Sequence, residues 1–137
     1  MARSVDRPIA PEERVARFVT VSRWVREDRT IRPDAFVPPP DLRLSVTRHD
    51  ALSVEGLWSI GRAVVAQVAR TRKAELSGRA DRCVRDVLRF GLATEAAPVP
   101  GNPYHAEIVG WPAEKAAQKN IAQQLAAIAA FRPWTSS

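Results

Sequence analysis

The 137-residue chain is long enough for one domain with its own core and too short for two. At this size folding buries roughly two-thirds of the surface the unfolded chain exposes, so no disulfide or metal staple is required. A 45% hydrophobic and 26% charged composition excludes wholesale disorder, and no run approaches the roughly 20 apolar residues of a membrane span.

Residues 1–10, charged and broken by Pro8, read as a flexible N-terminal tail ahead of a single domain over 11–134. Pro11 followed by Glu12 and Glu13 reads as a helix start, because proline suits the first turn and acids suit the positive end of the dipole. Beyond it the pattern is divided. Val15, Phe18, Ser22 and Val25 approximate helical spacing, while Val19, Val21, Trp24 and Val25 are types that strands favour. The expectation is a helix to about Val21 with an extended exit. Residues 28–41, with Pro33 and the triplet Pro38, Pro39 and Pro40, form a stiff Pro-rich connector within the domain. Phe36 is apolar enough to be pinned onto the core.

Asp41–Thr47 alternates Leu42, Leu44 and Val46 with polar residues, the period-two pattern of a strand with one buried face. Ser53 reads as an N-cap, with Leu52 and Leu57 at hydrophobic-staple positions around it. The helix from Val54 to about Ala69 then presents Leu57, Ile60, Gly61, Val64, Val65 and Val68 as one stripe. Gly61 on that stripe predicts close approach to a sheet. Ala74–Ala80 is expected as a short strand bent at Gly78. Val84, Val87, Leu88 and Phe90 suggest one or two helical turns stopped by Gly91, and Leu92–Ala97 an extended segment. Residues 98–103 are a turn by composition. Tyr104–Trp111 is the second clear strand, with Ala106 and Ile108 on one face and His105, Glu107 and Val109 on the other. A final helix is expected to about Phe131, with Ile121, Leu125 and Ile128 as its buried ridge.

This order predicts an α+β domain: a small, mainly antiparallel sheet of three to four strands packed against two or three helices. Leu42, Leu44, Val46, Ala106 and Ile108 are expected on one face, covered by the 54–69 helix and the final helix.

Lysine and arginine number 21 against 15 acids, a net charge of +6, and the excess is almost all arginine. A GC-rich bacterial genome writes arginine and alanine by default, and 22 alanines agree with that origin. The charge is nevertheless concentrated. Arg70, Arg72, Lys73, Arg79, Arg82, Arg85 and Arg89 face three acids in the same segment, for a local +4. A patch of that kind suits nucleic acid or another anion.

Catalytic motifs are scarce. The lone Cys83 forms no internal disulfide and no cysteine-based metal site, which suits a reducing cytoplasm. Met1–Arg14 has no apolar run of the kind a signal peptide needs. His49–Asp50 resembles a metal-ligand dipeptide, but only two histidines exist and Asp50 precedes a helix cap. His105–Ala106–Glu107 matches half of a zinc-deaminase signature whose downstream cysteines are missing. It leaves a histidine and a carboxylate on one strand face, low-order candidates for catalysis together with His49. No Gly-rich phosphate loop or nucleophile elbow occurs, so no cofactor and no metal are expected. Trp134, beyond the last helix, reads as an anchor at a protein interface.

The leading expectation is therefore a non-enzymatic interaction module for a protein partner or a second copy of itself. Nucleic-acid binding through the 70–89 arginines is the alternative, and a small hydrolase or nuclease using His105 and Glu107 the second alternative. No membrane association is expected.

Overall fold

The computed structural model describes residues 8–135, so most of the expected 1–10 tail lies outside the described residues. Six strands, β1 (Arg14–Val19), β2 (Leu44–Arg48), β3 (Gly78–Cys83), β4 (Ala93–Ala96), β5 (His105–Val109) and β6 (Ala130–Pro133), form one antiparallel sheet in the order β4-β5-β2-β1-β3-β6. The helices are α1 (Val54–Val68), α2 (Val84–Leu88) and α3 (Lys115–Ala127). The domain is α+β as expected, with six strands in place of three to four.

Strand β1 replaces the helix expected from Pro11. It lies between β2 and β3 and is buried on both sides, with Val15 and Val19 facing one way and Ala16 and Phe18 the other. A doubly buried strand has no polar face, so its period-two signal is lost. Glu13 belongs to no helix; its carboxylate accepts from the Ala10 N–H at 2.8 Å and pairs with Arg48 at 3.1 Å.

Strand β3 begins where the sequence predicted a strand to end. Its inward-facing Arg79 and Asp81 pair at 3.1 Å, so a charged stretch is buried. The final helix stops at Ala127, and residues 130–133 pair with β3 as an edge strand. Its buried positions are Gln118, Ala122, Leu125 and Ala126, while Ile128, expected in the ridge, is 57% exposed.

The two faces also differ from expectation. Leu44, Val46, Ala106 and Ile108 do share a face, but α3 covers it together with the 3-10 turn Pro33–Phe36, which seats Ala35 and Phe36 in the core. Helix α1 lies on the opposite face, where Leu57 packs with Ala16 and Phe18. Leu42 stands at φ +57°, outside the strand.

Several local readings hold. The Ser53 hydroxyl accepts from the Gly56 N–H at 3.0 Å and caps α1. A Cβ on Gly61 would lie 2.7 Å from Phe18 Cε1, which is the close approach the sequence predicted.

Candidate anion-binding site

Strands β1 and β2 pair only through Val15–Arg48 and Ala16–Thr47. Past Ala16 the two strands diverge, and Arg17 reaches into the gap. Its Nε donates to the Ala35 carbonyl at 2.8 Å and one terminal nitrogen donates to the Ser45 carbonyl at 3.0 Å. The guanidinium also lies 5.8 Å from the centre of the Trp24 ring. These partners supply dipoles and a π face but no negative charge. Among the described residues no carboxylate makes an ion pair with Arg17. Burial, reinforced by the neighbouring Arg72 charge, pulls the Arg17 pKa down to about 10.

This gap opens into a cavity of about 470 Å³. Ser45 and Thr47 of β2 and His105 of β5 line it beside Phe18 and Thr20. Val64 and Val68 on the second half of α1 form another wall, and Pro39 and Pro40 form part of its edge. Three arginines contribute, Arg17, Arg43 and Arg72, against one carboxylate, Asp34. Arg43 is neutralised by Glu107 at 2.9 Å and Glu95 at 3.6 Å. Arg72 makes no ion pair among the described residues, and neither does Asp34. The cavity therefore holds two guanidinium groups without paired counter-charge.

His105 Nδ1 lies 2.7 Å from the Ala97 carbonyl oxygen, which can only accept, so Nδ1 carries a proton and donates. Thr47 sits directly across from it in the β2–β5 register, its hydroxyl accepting from Asn102 at 3.2 Å. A second concavity of about 410 Å³ shares Thr20, Trp24 and Arg72 with the first and adds Arg23, Lys73 and Glu75.

The other residues singled out from the sequence are distributed differently. His49 is buried away from both cavities, its Nε2 3.5 Å from Asp81 Oδ2. Asp81 also holds Arg79, whose guanidinium stacks over Trp58 at 4.7 Å. Trp58 meets Trp134 at 5.1 Å, and Arg62 covers Trp134 at 5.4 Å. This ladder engages Trp134 within the fold, and its N–H donates to the Ser77 carbonyl at 3.0 Å. Glu107 shares a strand face with His105, as expected, but Arg43 occupies its carboxylate.

The seven central bases do not share one surface. Arg79 and Arg82 are buried on opposite faces of β3; Arg82 donates to the Ile128 carbonyl at 2.8 Å and pairs with Asp86 at 3.2 Å. Burial lowers the Arg82 pKa despite that partner. Arg70, Arg85 and Arg89 are exposed outside both cavities, whereas Arg72 lines both and Lys73 the second. Among the described residues no three His, Cys, Asp or Glu side chains gather as a metal site. Among the described residues no helix is long and apolar enough to cross a membrane.

Sequence reasoning missed Arg17 and Trp24. The available signal was Arg17 between Val15 and Val19, a charge at an inward position once the segment is read as a strand. Comparison with family models, with curated proteins and with solved structures finds no match.

Proposed function

We propose that the protein is a binding module for a phosphorylated ligand, held by Arg17 and Arg72 in the cleft between β1, β2 and α1. One observation carries the reading: among the described residues a half-buried guanidinium at the head of a cavity is hydrogen-bonded only to carbonyls and faces a second guanidinium without an ion-pair partner. Withdrawing such a charge from water is costly until a counter-charge arrives. A phosphate supplies that charge and matches the arginine fork. Thr20, Thr47 and His105 add groups to satisfy its remaining oxygens or a neighbouring ligand hydroxyl. The volume falls within the roughly 300–1,000 Å³ of small-molecule pockets. A hydrolytic reading based on His105 and Glu107 has less support, because the Arg43 guanidinium already takes the Glu107 carboxylate.

The test is calorimetric titration and thermal denaturation with inorganic phosphate and nucleoside monophosphates, against chloride at equal ionic strength. Saturable binding should stabilise the fold by about 2.7 kcal/mol when free ligand is a hundredfold above Kd. Arg72→Ala and Arg17→Gln should each weaken binding at least tenfold. Absence of any phosphate-specific stabilisation, or binding that both variants retain in full, would refute the proposal.

A further inference from the structure

We infer that the phosphorylated ligand is a single-stranded oligonucleotide lying across both cavities, an inference that rests on the phosphate reading of the first. One phosphate satisfies Arg17 and Arg72. The second cavity then presents Arg23 and Lys73, neither of which makes an ion pair among the described residues. Four cations distributed over two adjoining concavities suit a ligand with more than one phosphate. Trp24 lines both cavities and is only half-buried, so the boundary between the two phosphate positions carries an aromatic ring. A nucleic-acid strand repeats that chemistry, with phosphates at intervals and a planar base between them. Stacking on an aromatic side chain combined with a basic groove is the usual basis of single-strand binding. The first recess is bordered by α1 and by Pro39–Pro40 and the second by residues 20–24 and 72–75, so a chain with splayed bases fits the two recesses better than a rigid duplex. A doubly phosphorylated peptide carries no planar group as a fixed part of the repeat between its phosphates.

The experiment uses the full chain and compares inorganic phosphate, uridine monophosphate, a hexamer of uridylate, a duplex of equal length and a doubly phosphorylated peptide. The hexamer should bind at least tenfold more tightly than the monophosphate. Its log–log salt slope should be about −1.4, from about −0.7 for each of two phosphate contacts. Trp24→Leu should weaken the hexamer about 5- to 150-fold, the range for one stacked base. The exposed pair Arg23→Ala/Lys73→Ala should reduce the hexamer advantage without lowering the thermal stability of the free protein, so a fold defect in the Trp24 variant does not decide the matter. Equal affinity for phosphate and hexamer overturns this inference and leaves the phosphate site standing. Equal or tighter binding of the duplex or the phosphopeptide also overturns it. Failure of every anion to bind removes both proposals.

Discussion

Gly61→Ala is a perturbation whose two effects oppose one another. In an exposed helix interior the change stabilises by about 1 kcal/mol, because glycine loses more backbone entropy than alanine. Here the new methyl would lie 2.7 Å from Phe18 Cε1 and 2.9 Å from Cδ1. Carbon atoms rest at about 3.5–4.0 Å, so both contacts overlap by close to an ångström. Phe18 is 5% exposed and packs with Ala16 and Leu57, so its ring has little room to swing away. Overpacking of this kind costs about 1–3 kcal/mol, and the net effect should be a loss of about 1 kcal/mol. The mechanism is separable by a double-mutant cycle. In a Phe18→Leu background the ring is gone, and Gly61→Ala should become stabilising by about 0.5–1 kcal/mol. Urea denaturation of the four proteins gives the coupling, expected to exceed about 1 kcal/mol. If Gly61→Ala stabilises the parent protein, or the coupling is below about 0.3 kcal/mol, then α1 does not approach the sheet at Gly61. The cavity wall formed by Val64 and Val68 would then lose its structural basis.

Two further predictions probe the opposite face and the buried charges. Leu44 is fully buried between the sheet and the α3 side, so Leu44→Ala should cost about 2–5 kcal/mol in denaturant titration; a loss under about 1 kcal/mol would remove it from the core. Glu13 and Arg48 are each 4% exposed in their side chains and share several contacts between 3.1 and 3.2 Å, so Glu13→Gln should destabilise by about 3–5 kcal/mol. The surface control Glu95→Gln should change stability by less than about 0.5 kcal/mol, and similar losses for both variants would deny the Glu13–Arg48 pair its structural role.

The elements legible in the sequence were those with one wet face. Strand β5 alternates buried Ala106 and Ile108 with partly exposed neighbours, and helix α1 has a Ser53 cap and a one-sided stripe. Both lie within a residue or two of their expected spans. Strands β1 and β3 were misread for the same physical reason in opposite guises. Each is buried on two faces, β1 by apolar residues that carry no alternation and β3 by Arg79, Asp81 and Arg82, whose charges are paired with near neighbours, Arg79 with Asp81 and Arg82 with Asp86. A run of paired charges has no apolar alternation for periodicity to detect. Strand β6 was absorbed into α3 because the alanines from 126 to 130 favour helix. In the fold, residues 130–133 complete the edge of β3 instead.

The same distinction explains the site. The charge concentration between Arg70 and Arg89 was visible, but it sums residues that face inward, outward and to opposite sides of the sheet. What matters to an anion is not how many arginines a segment holds but which of them lack a carboxylate where they end up. Arg79 and Arg82 have theirs, so their charge is spent within the fold. Arg17 is an isolated base in a segment whose spacing suggests a helix, and it belongs to no charge cluster in the sequence. The divergence of β1 from β2 after two residue pairs leaves it facing carbonyls and Arg72. The proposed anion site is therefore defined by failed strand pairing, a property of register and not of composition. That is why the residue with the strongest claim to bind the ligand carries the weakest signature in the sequence.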